Sequence, residues 1–514
     1  MPRRGLWLSA AILVLFPALL TIPFLIANAS TDTHHVFDGF LFNPIDGQSY
    51  LAKMRQGYEG SWLFTLPYTA DPGEGAAINL YYLFLGHVAR TFGLSLLFTF
   101  HAARILGGIA LGLALYVFFR RVFPDRGSQD FAFSLALFGS GLGWLVIWFG
   151  SFTSDFWVAE AYPFLASLTN AHFPLGLALQ VWLLSLATAA PGRGGKQLAF
   201  AALAAVLLSI IFPFGWIVVV VTYGGHLLWL ILRHELIAGN VWTLLAIVAG
   251  GFPYAAYALW VTNSHLVLSQ WNAQNITPTP GLLDLSISLL PALPLAVWGA
   301  YCTFTRGTNG SRLLAVWLLV GIILIYVPFG LQRRLISGLF IPVAGLAATA
   351  FARLELRPSF RRFAATALFA LALPTNAIRA IGSVAAVAEN DSRFTLSVQE
   401  LEAFTWLEGT ALPGSLVLAS PDSGLLLPAY APVRVVYGHP LETIDADARH
   451  AEVTAFFSGA LDQAAEIDYL EEWGVDYVLY GPRERQLGSL PELPGWQLVF
   501  DQDDLIQIWA HPQN

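Results

Sequence analysis

The sequence is poor in charged residues and has almost no cysteine. Charged residues make up 12% of its 514 positions and hydrophobic residues 56%, with a mean hydropathy of +0.61. A soluble protein of this length would carry about twice that share of charge. The single cysteine, Cys302, excludes a disulfide framework, so any domain outside a membrane must be held together by packing. The net charge of −8 argues against nucleic acid as a partner.

Motifs of soluble nucleotide chemistry are also missing. The sequence contains no Walker loop, no dinucleotide-binding glycine pattern, no zinc-ligand spacing and no nucleophile elbow. No internal repeat or low-complexity tract is visible either. We therefore expect no nucleotide cofactor.

What the chain does contain is a series of apolar blocks of roughly 20 residues, the length that crosses a hydrocarbon core. We predict a polytopic α-helical membrane protein with about eleven transmembrane helices in contact with membrane lipids. The first block could instead be a cleavable signal peptide ending near Ala29, and the two blocks around Pro213 could form one broken helix. The predicted spans are 5–27, 94–119, 131–150, 173–190, 198–212, 215–232, 241–261, 283–303, 312–329, 336–352 and 363–388.

Basic residues beside the spans predict how the chain is oriented. Arg3, Arg120 and Arg361 are examples of arginines that occupy alternate loops, and cytoplasmic loops carry the excess of such bases. We therefore expect a multi-pass protein of the plasma membrane. Its N-terminus would be cytoplasmic and its C-terminal region extracytoplasmic.

Two regions outside the spans are large enough to carry a function. Residues 28–93 form a long first outer loop, with predicted interfacial helices near 48–57 and 78–87. From residue 390 onward the composition is that of a globular domain, so we divide the chain into a transmembrane domain, 1–389, and an extracytoplasmic α/β domain, 390–514. Within the second domain we predict helices at 398–408, 449–458 and 462–473 and strands at 415–419, 433–437, 477–480 and 505–509.

Three acids in the predicted outer loops are candidates for chemistry: Asp46, Asp155 and Glu160. A carboxylate in a constrained pocket can act as a general base or ligate a divalent cation. Asp46 follows an apolar stretch and precedes two bases, Lys53 and Arg55, which favours a functional role over that of a solvated loop acid. For Asp155 and Glu160 both interpretations stay open.

Arg333 and Arg334 lie between the ninth and tenth predicted spans, on the predicted outer side. This placement runs against the positive-inside rule, and guanidinium groups bind phosphate well because they can donate two parallel hydrogen bonds. We predict an anion site here, which Lys53, Arg55 and Arg104 could join. The alternatives are a span count that is wrong by one, or contacts with lipid headgroups.

Several other residues are predicted to contact a substrate. His172 and Asn170 stand at the entry to the fourth span, where the histidine could donate a hydrogen bond or could cap the helix. His439 and Glu442 follow a predicted strand, a position at which open α/β sheets often bind ligands; otherwise this segment is a tight turn. Two aromatic residues of the outer loops complete the set: Tyr50 and Trp271.

This arrangement resembles the C-type integral-membrane glycosyltransferases, which include polyprenyl-phosphate-dependent mannosyl- and aminoarabinosyltransferases and oligosaccharyltransferases. The likeness lies in the order of the parts. A first span precedes a large outer loop with an acid near its start, then come an acid-bearing second loop and a C-terminal outer domain. The resemblance implies a hexosyl- or pentosyltransferase with a polyprenyl-phosphate sugar donor and an extracytoplasmic acceptor, which is a lipid, a glycan or a protein.

The resemblance also implies roles by position. Asp46 corresponds to the acid that acts on the acceptor, and Asp155 and Glu160 correspond loosely to an acidic pair in the second loop. Arg333 and Arg334 take the place of the bases that bind the lipid phosphate. Many members of the family carry a second acid beside the first one, whereas here none stands next to Asp46. This departure leaves the use of a divalent cation open.

The expected chemistry is glycosyl transfer. Arginines would stabilise the phosphate that leaves the sugar, and Asp46 would take the proton of the attacking acceptor hydroxyl. The alternative is a transporter or flippase for a lipid-linked or acidic solute, although the sequence shows neither related halves nor charges at mid-membrane depth. A third possibility is a membrane-anchored sensor whose outer domain is a binding module.

Overall fold

The structure, a computed structural model, describes residues 4–188 and 194–512, so Arg3 and the end of the predicted span 173–190 lie outside the described residues. Most of the described chain is helical. The strands are His35–Phe37, Thr395–Ser397, Leu416–Leu418, Arg434–Val435, Tyr477–Tyr480, Gln497–Gln502 and Ile506–Ala510, and the 3-10 helices are Ile147–Phe149, Ala159–Ala161, Leu186–Thr188 and Gln332–Ile336. The α-helices are Arg4–Ser30, Pro44–Tyr58, Leu80–Phe92, Leu96–Val122, Arg126–Phe138, Gly143–Val146, Ser154–Trp157, Pro163–Thr169, His172–Ser185, Gly195–Ile211, Pro213–Leu232, Ala238–Ser264, Leu266–Gln274, Leu282–Leu289, Ala292–Arg306, Asn309–Ile325, Phe340–Arg353, Pro358–Ala372, Pro374–Ala388, Val398–Thr410, Pro421–Tyr430, Ala446–Ser458, Gln463–Trp473 and Pro482–Arg485.

The apolar helices make the chain an integral membrane protein. Within the described residues, 6 helices are long and apolar enough to cross a membrane, and 2 bent helix pairs raise that number to 8 if each pair is one span. Three shorter apolar helices account for the predicted spans that remain. Each predicted span thus coincides with an apolar helix, while the number eleven and the orientation stay predictions. The 6 long spans are Leu8–Ser30, Leu96–Val122, Pro213–Leu232, Ala238–Ser264, Gln332–Arg353 and Pro358–Ala388.

Two predicted spans are bent rather than straight. The helices Arg126–Phe138 and Gly143–Phe149 meet at 43°, and Leu282–Leu289 meets the following helix at 89°. The second break falls at Pro291, which has no backbone N–H to continue a helix. The first break lets the two bent segments touch, because a side-chain carbon at Gly141 would lie 2.3 Å from the carbonyl oxygen of Ser288. Only glycine permits this approach.

The chain divides into two compact units. The first comprises Met1–Ile26, His101–Tyr257 and Thr277–Ala385. The second comprises Ala27–Phe100, Ala258–Ile276 and Ala386–Asn514. The long loop after the first span and the C-terminal region therefore fold together, although more than 280 residues separate them in sequence.

A five-stranded sheet organises the C-terminal part of the second unit. Its strands run in the order Arg434–Val435, Leu416–Leu418, Tyr477–Tyr480, Ile506–Ala510 and Gln497–Gln502. The first three are parallel and the last two are antiparallel to their neighbours. Apolar clusters cover both faces, as expected for parallel strands. The four strands and three helices predicted here are confirmed, whereas Gln497–Gln502 and Pro421–Tyr430 were not predicted.

In the long loop, the helices Pro44–Tyr58 and Leu80–Phe92 pack closely against each other. A side-chain carbon at Gly57 would lie 2.1 Å from the carbonyl oxygen of Leu83, and one at Gly86 would lie 2.0 Å from that of Met54. Two glycines thus allow the backbones to touch. The helices predicted at 48–57 and 78–87 are confirmed, and their place in the membrane interface stays a prediction.

Candidate active site

Asp46 lies in the first turn of the helix Pro44–Tyr58. The preceding residue, Asn43, has a φ of 52° and turns the chain into the helix, and Pro44 occupies the first turn without needing a hydrogen-bond acceptor. The Asn43 side-chain amide donates a hydrogen bond to Oδ2 of Asp46 at 2.5 Å. The helix N-terminus favours negative charge at this position, and 28% of the Asp46 side chain is exposed. A carboxylate held in this way is stabilised as an anion and is still open to a reactant.

His439 faces Asp46 from the turn that follows the strand Arg434–Val435. The ring is buried, and its Nδ1 accepts hydrogen bonds from the backbone N–H groups of Leu441 and Glu442 at 3.0 and 3.1 Å. The proton of the neutral ring is therefore on Nε2. Nε2 lies 3.7 Å from Oδ1 of Asp46.

Lys53 and Glu442 form a buried ion pair beside this contact. Nζ of Lys53 lies 2.6 Å from Oε1 of Glu442, and the Ser49 hydroxyl donates to the same oxygen at 2.7 Å. Burial by itself would raise the pKa of Glu442, but the charge of Lys53, the adjacent His439 ring and the hydrogen bonds from Lys53 and Ser49 together lower the pKa below its usual value. The predicted anion ligand Lys53 and the predicted substrate contact Glu442 thus bind each other.

Arg55, on the same helix, also has protein partners. Its guanidinium group contacts Oε1 of Glu408 at 2.6 Å and donates to the carbonyl oxygen of Tyr430 at 3.0 Å. It lines a cavity of about 450 Å³ between the long loop and the C-terminal part of the second unit. Because Glu408 balances the charge of Arg55, these contacts do not favour its predicted role in an anion site with Arg333.

Tyr50 and Trp271 both lie in the second unit. The Tyr50 ring stacks on Tyr82 with centroids 4.3 Å apart. Trp271 is on the short helix Leu266–Gln274, whose last residue donates from its side-chain amide to the carbonyl oxygen of Thr443. The helix that carries Trp271 therefore contacts the same turn that holds His439.

In the first unit, Glu160 lies between two arginines. Its Oε1 is 3.9 Å from Nε of Arg333 and 3.9 Å from Nη1 of Arg334. The Arg333 guanidinium group lies over the Trp157 ring at 4.7 Å, and the Glu160 carbonyl oxygen accepts from the N–H of Gly338. Both ion-pair distances are too long for hydrogen bonds. Two guanidinium groups thus face one buried carboxylate.

Asp155 is enclosed by hydrogen-bond donors. The hydroxyl groups of Thr153, Thr375 and Ser288 donate to its carboxylate at 2.6, 2.9 and 3.2 Å, and the N–H of Gly143 does so at 3.1 Å. Burial raises the pKa of Asp155 above its usual value, although these donors oppose the shift. Gly143 and Ser288 come from the two bent helix pairs, and Thr375 comes from the helix Pro374–Ala388. Asp155 therefore ties these segments together.

Arg104 is also used inside the first unit. It is buried and donates to the carbonyl oxygens of Ser167 and Leu20 at 2.8 and 3.1 Å, and its guanidinium group lies 4.3 Å from the centre of the Phe24 ring. A guanidinium group that bonds carbonyl oxygens in this way connects helices. These contacts favour a structural role over the predicted anion site.

His172 and Asn170 flank the start of the helix His172–Ser185. The His172 ring lies 4.2 Å from the Phe173 ring. Asn170 is buried, and its side-chain carbonyl oxygen has no hydrogen-bond partner within the described chain. That oxygen can accept a hydrogen bond from a ligand, so Asn170 stays a predicted substrate contact.

Comparisons with known proteins place this geometry in a fold. No protein-family model matches the chain, and no curated protein matches it in sequence. The archaeal oligosaccharyltransferase AglB from Archaeoglobus fulgidus, solved with an inhibitory peptide and a dolichol-phosphate, is 13% identical with a TM-score of 0.54 over 92% of this chain and 69% of its own. The mycobacterial arabinofuranosyltransferase AftD is 15% identical with a TM-score of 0.53 over 98% of this chain and 40% of its own. The chain has the C-type glycosyltransferase fold.

A third C-type structure matches the chain over its whole length. ArnT from Cupriavidus metallidurans in the apo state is 14% identical with a TM-score of 0.51, over 98% of each chain. The resemblance inferred from the order of loops and spans is thus confirmed at the level of the fold. Sequence identities this low establish the fold alone. The roles of individual residues therefore depend on the contacts that these residues make.

A resident divalent cation does not fit the donor set of the described part of the chain. Within the described residues, no three His, Cys, Asp or Glu side chains gather closely enough to hold a metal ion. His439 lies beside Asp46. The carboxylate of Asp155 already accepts from four donors, and Glu160 faces two arginines.

Sequence reasoning missed two functional neighbours of the predicted residues. Trp157 stands between Asp155 and Glu160 in the chain, and its ring lies against Arg333. Ser49 lies three residues after Asp46, on the same helical face. The spacing of Asp46 and Ser49 was visible in the sequence. The partner of this helical face was not, because Glu442 lies 393 residues after Ser49.

Proposed function

We propose that the chain transfers a glycosyl group from a polyprenyl-phosphate-linked donor to an extracytoplasmic acceptor, with Asp46 as the general base. The observation that supports this most is the environment of Asp46: a partly exposed carboxylate, held by Asn43 and faced by a neutral histidine, in a C-type glycosyltransferase fold. AglB, which has this fold, binds dolichol-phosphate. The donor class is proposed on that basis.

In this reaction an acceptor hydroxyl oxygen attacks C1 of the donor sugar. A new C–O bond forms as the bond from C1 to the phosphate oxygen breaks, and the polyprenyl phosphate leaves with the electron pair. Asp46 takes the hydroxyl proton during the attack. An ionised, accessible carboxylate suits this role, and the first turn of a helix favours its ionised form.

Arg333 and Arg334 are proposed to bind the phosphate. Their two guanidinium groups face the Glu160 carboxylate at 3.9 Å, beyond hydrogen-bond distance, and guanidinium groups bind phosphate well because they can donate two parallel hydrogen bonds. Charge develops on the phosphate as it leaves, and fixed donors in a water-poor site stabilise such charge strongly. The Trp157 ring against Arg333 limits the directions in which that guanidinium group can point.

Asp155 and Arg104 are then structural supports, because their polar atoms bond protein groups. His172, Asn170, Tyr50 and Trp271 remain proposed contacts of the donor or acceptor. We also propose that the C-terminal part of the second unit lies on the extracytoplasmic side with the N-terminus in the cytoplasm, where an acceptor lipid, glycan or protein would be met.

The test uses the full chain reconstituted in sealed vesicles. The donors are undecaprenyl-phosphate sugars whose sugar is radiolabelled, and the acceptor is an extract of envelope lipids and glycans. Transfer releases undecaprenyl phosphate and moves the label to the acceptor, and both products are measured. We expect both for at least one donor. Movement of intact labelled donor across the vesicle membrane, with no release of undecaprenyl phosphate from any donor, would contradict the proposal and favour a flippase.

A further inference from the structure

One face of the helix Pro44–Tyr58 is covered by a turn of the C-terminal region. Asp46, Ser49 and Lys53 follow each other at spacings of three and four residues, which brings them to the same face of a helix. His439 faces the first of them at 3.7 Å, and Glu442 binds the other two. The turn from Gly438 to Thr443, which we name the clamp turn, therefore contacts the helix at each of these positions.

The clamp turn has a fixed backbone. The Thr443 hydroxyl accepts hydrogen bonds from the N–H groups of Gly438 and His439 at 3.3 and 3.2 Å. A side-chain carbon at Gly438 would lie 2.4 Å from the carbonyl oxygen of Gly424, so only glycine fits there. The buried ion pair between Lys53 and Glu442 holds the turn on the helix. The His439 ring has little freedom to move away from Asp46.

The two ring nitrogens of His439 have different surroundings, and this decides its role. Nδ1 accepts from two backbone N–H groups, so it can neither carry a proton nor take one from a substrate. Nε2 carries the proton, and it has no hydrogen-bond partner within the described chain. The nearest carboxylate oxygen is Oδ1 of Asp46. A ring with this tautomer can donate to Asp46 but cannot act as the base itself.

We propose that His439 is a positioning residue, whose Nε2–H donates a hydrogen bond to Oδ1 of Asp46 when substrate is bound. This inference rests on the proposed function, in which Asp46 is the base. The present distance exceeds an ordinary N–H···O bond by about 0.8 Å, and catalytic hydrogen bonds often shorten when the substrate binds. With Asn43 on Oδ2 and His439 on Oδ1, both carboxylate oxygens of Asp46 are oriented.

The test compares two substitutions that each keep one half of the ring. In His439→Asn the side-chain oxygen can replace Nδ1 as the acceptor of the two backbone N–H groups, and the donor toward Asp46 is lost. In His439→Gln the side-chain amide can reach the position of Nε2 and donate, and the acceptor of the turn is lost. With the best undecaprenyl-phosphate sugar, we expect kcat to fall about 10- to 100-fold in His439→Asn. In His439→Gln we expect kcat to stay within about fivefold of the wild-type value. The KM for the donor should change little in both variants. The matched controls are His450→Asn and His450→Gln, at an exposed histidine on the following helix, which should both keep wild-type kcat.

A purely structural histidine predicts the opposite order, because asparagine keeps the hydrogen bonds of the clamp turn and glutamine does not. A kcat for His439→Asn equal to or above that of His439→Gln would therefore overturn the proposal. The ring itself gives a second measurement that does not need activity. The nitrogen NMR spectrum of the 15N-histidine-labelled protein should show Nδ1 unprotonated and Nε2 protonated for His439, assigned by its loss in His439→Gln. The reverse tautomer would overturn the inference even if the chain transfers sugar, whereas absence of transfer with the expected tautomer would count against the proposed function alone.

Discussion

Replacing Lys53 by methionine should destabilise the protein rather than weaken donor binding. Lys53 and Glu442 are both buried, with Nζ and Oε1 2.6 Å apart. Methionine has a similar length and no charge, so the substitution leaves the Glu442 carboxylate buried without its counter-ion. Losing one partner of a buried ion pair costs about 3–5 kcal/mol. Because the hydrogen bond from Ser49 to Glu442 remains, we expect a loss near the lower end, about 3 kcal/mol.

The double variant Lys53→Met with Glu442→Gln should recover more than half of that loss, because the uncompensated charge is then gone. Thermal unfolding of the detergent-solubilised protein, followed by tryptophan fluorescence, gives the order of stability. We expect the wild type to be most stable, the double variant intermediate and Lys53→Met least stable. Lys196→Met is the control, since Lys196 is exposed, and it should unfold like the wild type. A Lys53→Met variant as stable as the wild type but with a raised donor KM would refute this reasoning and return Lys53 to the phosphate site.

Two further predictions concern other charged groups. Arg333→Ala and Arg334→Ala should each raise the KM for a polyprenyl-phosphate donor about 10-fold or more, because hydrogen bonds to the phosphate are lost. The control Arg393→Ala, at an exposed arginine, should leave this KM unchanged. An unchanged KM in both Arg333→Ala and Arg334→Ala would contradict the phosphate role. Burial raises the pKa of Asp38 from 3.8 to about 7. Between about pH 4 and pH 7 the folded protein therefore keeps Asp38 neutral, whereas the unfolded chain ionises it. The contribution of Asp38 to the free energy of unfolding is lost as the pH rises through this range. Thermal unfolding of Asp38→Asn should therefore match the wild type near pH 4 and show an advantage that grows up to about pH 7 and then levels off; an advantage that shrinks with rising pH would contradict the shift.

The sequence predicted the elements whose signals are local. Apolar blocks of the right length located the membrane helices, and helical periodicity located Val398–Thr410, which begins with a capping box between Ser397 and Glu400. The bends at Gly141 and Pro291 were missed, because an apolar block looks the same whether the helix through it is straight or broken. Glycine and proline marked those positions, but only tertiary contact decides which of the many glycines in such a chain makes a break.

For the candidate site, the sequence identified residues but not their partners. Glu160, Arg333 and Arg334 were predicted as separate acid and base sites, and they lie together. Lys53 and Arg104 were predicted to bind an anion because they are bases on the predicted outer side. Lys53 is instead paired with a carboxylate 389 residues away, and Arg104 bonds backbone carbonyl oxygens. No local pattern reports such distant partners, and a buried base needs them because an unpaired charge in the interior is too costly.

The role of Asp46 as general base is tested most directly by the single-turnover rate of Asp46→Asn with saturating undecaprenyl-phosphate sugar and acceptor. Asparagine keeps the size of the side chain and cannot take a proton, and general-base catalysis contributes about 10²- to 10⁴-fold. We predict that this rate falls at least 100-fold, that donor binding and the unfolding temperature change little, and that the exposed loop variant Glu74→Gln retains the wild-type rate. A rate for Asp46→Asn close to that of the wild type would contradict the account.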